Sequence, residues 1–138
     1  MKNVFRLFVV AVTLLMVSAV FVTNASAKKD PFVGHWKSTD IDGSYQTLTI
    51  GGGPGSSYHV RYYDYGATVC GLDPDTGEFL YAASAAGTLA LSAGVLSGTM
   101  PVYCQTAPPS FFSSASFEYT YDSATDTLVD SFGVVWSH

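Results

Sequence analysis

The chain has 138 residues, and its first 27 hold 19 apolar side chains, so a hydrophobic content of 48% overstates the folded part. Residues 28–138 carry four basic and eleven acidic side chains, a formal net charge of −7, and this excludes a basic stripe that would neutralise nucleic-acid phosphates. Two cysteines are too few for a disulfide-dense mini-protein or a zinc knuckle.

At the start of the chain, Lys2 and Arg6 supply positive charge and Leu7–Val22 is an uncharged apolar run of 16 residues. That run is short of the roughly 20 residues a spanning helix needs. Ala25-Ser26-Ala27 then gives the small-x-small pattern that a signal peptidase reads. The expectation is a signal peptide over 1–27, cleaved after Ala27, and one domain over 28–138. That domain would be secreted or periplasmic, with no membrane attachment after cleavage. An oxidising compartment favours joining the only two cysteines, Cys70 and Cys104, in a structural bridge.

Beyond the leader, helical periodicity is nearly absent and period-2 alternation recurs. Strands are expected near 33–40, 44–51, 58–66, 79–91, 95–104, 111–121 and 127–136. A bend at Ala85-Ala86-Gly87 would split the fourth and make eight. Turn chemistry separates them: Asp42-Gly43, the glycine-rich run 51–57, Asp73-Pro74-Asp75-Thr76-Gly77, Ser92-Ala93-Gly94, Ala107-Pro108-Pro109 and Asp122–Asp126. Short links imply antiparallel neighbours. The predicted fold is all-β, an up-and-down meander of about 7–8 strands closed into a small barrel with one disulfide.

Alternation assigns inner faces to Leu48 and Ile50, to Val60, Tyr62 and Cys70, and to Leu96, Met100, Val102 and Cys104. Phe117, Tyr119 and Tyr121 form another inner set. The last strand puts Leu128, Asp130, Phe132, Val134 and Trp136 on one face. Asp130 is the outlier, a carboxylate among large apolar residues, and burial without a partner would be unfavourable. A tyrosine hydroxyl from Tyr62 or Tyr119 is the preferred donor. Arg61 would need a bulge to turn inward, a bulge at Ser131 or Gly133 would reset the alternation altogether, and a ligand's polar group near a barrel mouth is the functional alternative.

Other candidates are weaker. Asp40 and Asp42 before Gly43 suggest a hard-cation loop, but the further oxygens such a loop requires do not follow, so a hairpin turn is expected and no metal site. His35, His59 and His138 have no ligand spacing. The 51–57 run lacks the lysine of a phosphate loop. Gly-x-Ser-x-Gly, a reactive cysteine and H-E-x-x-H are all missing, and no cofactor is implied. Within Tyr62-Tyr63-Asp64-Tyr65, alternation forces some tyrosines outward, where they suit glycan or protein contact.

Gly34-His35-Trp36, Asp42-Gly43-Ser44 and Leu48-Thr49-Ile50 resemble the opening hairpin of the avidin and lipocalin-like secreted barrels. The resemblance implies that Trp36 plugs one barrel end and that Ser44 and Tyr62 stand near ligand-contacting places. Avidin's ring of cavity tryptophans is missing, since only Trp136 remains, which argues against biotin. A relative of this architecture is the bacterial secreted-protease inhibitor, whose N-terminal tail enters its target; here the tail is Lys28-Lys29-Asp30-Pro31. Three functions follow in order: a non-enzymatic binding module for a small molecule, glycan or protein, with Trp36, Ser44, Tyr62 and Asp130 as ligand residues; a protease inhibitor; and, distantly, a carboxylate-based hydrolase.

Overall fold

The computed structural model describes residues 29–53 and 55–138, and the expected signal peptide lies outside them. Eight strands follow one another: β1 (Gly34–Thr39), β2 (Tyr45–Gly52), β3 (Ser57–Asp64), β4 (Ala83–Ser92), β5 (Val95–Cys104), β6 (Ser110–Asp122), β7 (Thr127–Asp130) and β8 (Val135–Trp136). Each pairs antiparallel with its neighbour in sequence, in the order β1 to β8. The seam between β1 and β8 is joined by Lys37 and Ser137, which exchange backbone bonds of 2.7 and 3.0 Å. Ser38 Oγ adds a bond of 2.8 Å to the Val135 carbonyl. The result is a nearly closed up-and-down barrel. Its only helical element among the described residues is one 3-10 turn, Thr68–Cys70.

The two ends of the barrel are packed differently. Around the β2–β3, β4–β5 and β6–β7 turns the interior is filled by large side chains. Leu48, Ile50, Val60, Leu89, Leu96, Met100 and Leu128 are buried there with Trp36 and Trp136. Phe32 covers this end, its ring 6.0 Å from Tyr58 and 6.2 Å from Tyr121. The Trp36 indole donates to the Phe32 carbonyl at 3.0 Å, and the Tyr58 hydroxyl donates to Asp30 at 2.6 Å. His138 lies on the Trp36 ring at 3.8 Å. Toward the opposite end the inward positions shrink to Ala67, Ala83, Ala85, Ser113 and Ala115, and space is left open.

Three expectations need correction. The segment 127–136 is two strands, because Asp130–Val134 forms a turn with Gly133 at φ +82°. The Asp130 amide bonds the Val134 carbonyl and the Gly133 amide bonds the Asp130 carbonyl, so alternation stops there. Phe132 therefore leaves the barrel core and is 76% exposed. The segment 79–91 becomes a strand only at Ala83 and runs through Gly87 without a break, so the eighth strand comes from the chain's last segment instead. Phe79 makes a lone bridge to Leu72 within the long β3–β4 loop.

Cys70 and Cys104 are bonded, with Cα atoms 5.5 Å apart. Cys70 is half-buried and packs against the core, but strand parity is not the reason, since it lies past the end of β3 in the 3-10 turn. The bridge thus ties the β3–β4 loop to the last residue of β5. Gly66 opens that loop and leaves room for the Phe79 ring, which a Cβ at this position would meet at 2.4 Å.

Candidate functional site

The open end of the barrel holds a cavity of about 310 Å³. β2 and β3 contribute Gln46, Tyr62 and Asp64 to its lining, and β4 and β5 contribute Ala83 and Val102. One side is β6, from Phe112 to Tyr119; the other is Asp130, Ser131, Phe132 and Trp136. Asp40, Asp42, Thr68 and Val69 stand at the rim. The lining contains five carboxylates and neither lysine, arginine nor histidine.

A polar network occupies the inner faces of β2 and β3. Gln46 Nε2 donates to the Tyr62 hydroxyl at 2.8 Å and approaches Asp64 Oδ2 at 3.4 Å. The Tyr62 hydroxyl in turn points at Asp64 Oδ2 at 3.4 Å, while the Gly66 amide donates to Oδ1 at 3.1 Å. Asp64 is only 5% exposed. Burial above all, then the Asp64 charge, pushes the Tyr62 phenol far above its ordinary pKa, so it remains a neutral donor.

Asp130 sits across the cavity in its turn. Oδ1 accepts the Phe132 and Val134 amides at 2.9 and 3.0 Å, and Oδ2 accepts the Trp136 indole at 3.2 Å. The expected donors Tyr62 and Tyr119 are not its partners, because the turn brings its own amides within reach first. Tyr119 still senses the carboxylate: burial, followed by the Asp130 charge, raises its phenol pKa well out of the physiological range. Aromatic faces line the cavity between these groups. Tyr62 lies 5.4 Å from Phe117 and 6.1 Å from Trp136, and Tyr119 lies 6.0 Å from Trp136.

Of the residues singled out from sequence, Tyr62 and Asp130 meet in the cavity lining. Trp36 is buried toward the closed end, and Ser44 is buried beside the β1–β2 turn with its hydroxyl unpaired; neither is among the lining residues. Asp40 and Asp42 organise that turn: Asp40 accepts the Ile41 amide, and Asp42 accepts the Ser44 amide and the Thr68 hydroxyl. Burial opposes the charged Asp42, but the Thr68 and Ser44 bonds outweigh it and hold its pKa below the usual value. No group of three metal-ligating side chains converges among the described residues.

Gln46, Asp64, Phe112 and Glu118 are lining residues that the sequence reading did not single out. Two carried a usable signal. Gln46 is in phase with Leu48 and Ile50, and Asp64 with Val60 and Tyr62, so both belonged to inner faces already assigned. Phe112 had no such signal. It faces the cavity because the β5–β6 register shifts between Val102 and Tyr103, which inserts one residue into β6. No family model, curated protein or solved structure matches the chain.

Proposed function

We propose that the chain is an exported, non-enzymatic binding module that takes its ligand in the open end of the barrel. The observation that carries this reading is the cavity itself: concave, aromatic-walled, and fitted with polar groups fixed before any ligand arrives. Such a mixture is what recognition sites use to orient a ligand while excluding water. The bridged, acidic domain and the leader pattern of residues 1–27 support export. Asp64 and Asp130 are each engaged by neighbouring donors, which suits a fixed scaffold better than an acid–base pair. The inhibitor reading draws no support from the tail, because Asp30 is tied down by Tyr58 and by the Phe32 amide.

The test uses the exported protein and a mixture of small amines, carboxylic acids and oligosaccharides. Saturable NMR shifts are expected at the Tyr62 and Trp136 rings. They should vanish in Ala115→Phe, which fills the cavity, with the β-sheet circular dichroism retained. Shifts scattered over the outer wall, or unchanged in the filled variant, would overturn the reading. Export is checked separately by the mass of the exported product, expected to begin at Lys28. An uncleaved product would remove that part.

A further inference from the structure

We infer that the free edge of β6 accepts an extended segment of a partner protein as an added strand, and that this segment places a lysine or arginine side chain in the cavity. The inference rests on the binding-module reading and names the ligand's class. It begins with the sheet. β6 pairs with β5 along nearly its whole length, yet β7 pairs with it only from Tyr119 to Asp122. From Ser110 to Glu118, one side of β6 has no strand beside it among the described residues. Every second residue there presents backbone N–H and C=O groups outward, the arrangement that recruits an extended chain.

The cavity lies along this same edge. β7 ends at Asp130 and the chain turns away through Ser131–Gly133, so the cavity takes the place where β7 would have continued. A strand added to β6 at about 4.8 Å would fill that place, with alternate side chains directed into the barrel and out of it. Strand addition supplies affinity through the backbone and specificity through such inward pockets.

Charge selects the inward side chain. Asp40, Asp42, Asp64, Glu118 and Asp130 border the cavity and no cation does. Asp64 is buried without a counter-charge, its Oδ2 engaged only by the two 3.4 Å contacts from Gln46 and Tyr62. An entering ammonium or guanidinium would complete that group and pack its alkyl stem against the Tyr62 and Trp136 rings.

The surface around the opening points to a protein as the bearer of that cation. All thirteen large apolar side chains that are exposed among the described residues lie in the barrel's open half, and none surrounds the closed end. Phe112, Phe132 and Val69 are both exposed and part of the cavity lining. An apolar rim around an acidic centre matches a partner with a basic anchor and apolar flanks. An anionic lipid surface would be repelled by the same carboxylates.

The experiment titrates the exported, bridged protein with nine-residue peptides of alternating apolar residues. The central position is lysine, arginine, norleucine or glutamate, and a further lysine peptide carries N-methyl groups on alternate amides. The lysine and arginine peptides should bind, protecting β6 amides between Ser113 and Glu118 from exchange. Norleucine should weaken binding at least about tenfold, glutamate should abolish it, and added salt should weaken it. N-methylation in the pairing phase should abolish binding, which a plain cation pocket would not notice. Asp64→Asn keeps the hydrogen-bonding shape and should weaken the lysine and arginine peptides while leaving the norleucine peptide unchanged. Equal binding of lysine and norleucine peptides would overturn the cation claim, and equal binding of the N-methylated peptide would overturn the strand claim. No peptide binding up to millimolar concentration would overturn the whole inference; amine binding in the cavity under those conditions would leave the binding-module reading intact. Attachment to phosphatidylcholine vesicles, or edge-to-edge dimers, that the lysine peptide fails to displace would overturn the inference as well.

Discussion

Asp130 holds a turn with one oxygen and a buried indole with the other. Truncation strands the Trp136 N–H in a site only 1% exposed. Asp130→Ala should therefore destabilise the barrel by about 1–3 kcal/mol in urea unfolding, and Asp130→Asn should recover part of the loss. A second residue-scale contact is sensitive to alkali. The bond to Asp30, then burial, then the Asp30 charge raise the Tyr58 phenol from 10.0 to about 12. A pKa raised by folding contributes stability that is complete below pH 10 and disappears as pH climbs through about 12. The thermal midpoint of the wild type should fall more steeply over that window than that of Tyr58→Phe. Parallel curves would show that the bond contributes nothing to holding Phe32 over the closed end.

Among the elements, the β4–β5 turn is open to improvement. Ala93 and Gly94 form a two-residue connection with φ +50° and +83°, the backbone that asparagine-glycine pairs adopt most readily. Alanine in this region is strained, so Ala93→Asn should stabilise by about 0.5–1 kcal/mol, read as a higher urea midpoint. That turn was legible in the sequence, as were most strands, because polar turn residues interrupt a steady alternation. Legibility failed where one side chain could bond its own backbone. In 127–136 the apolar spacing of Leu128, Phe132, Val134 and Trp136 continues across a turn that Asp130 creates, and spacing alone does not reveal the turn. In 79–81 the apolar letters belong to a surface loop, since Phe79 packs on Gly66 and Leu80 and Tyr81 stay exposed. For the site, inner phase led to Tyr62 and also held Gln46 and Asp64, but the register shift that exposes Phe112 to the cavity depends on β5 and has no local mark.

At the scale of the molecule, the domain divides into a filled end and an open one, and the disulfide belongs to the open one. It fastens the β3–β4 loop, which carries Ala67, Thr68 and Val69 of the cavity rim, across a separation of 34 residues. The bridged protein should be lighter than its reduced form by two hydrogens. Replacing both cysteines with serine should cost about 3–4 kcal/mol of stability on the chain-entropy model, measured in urea. Free reaction of both native thiols with an alkylating agent would contradict the bridge. Proteolysis of the doubly substituted protein should begin between Gly71 and Tyr81, where the loop's remaining ties are a few backbone bonds.

The seam between β1 and β8 also sets an order in time. Ser38 and Val135 are 97 positions apart, whereas every other ladder joins strands adjacent in sequence. Contacts that close the longest loop are the slowest to gain from folding, so the meander is expected to assemble hairpin by hairpin and the seam last. Until Val135 and Ser137 are in place the seam has no second side. A meander stopped at that point is a sheet with two open edges, each a row of unpaired backbone groups. One short strand, the last of eight, turns that sheet into a barrel.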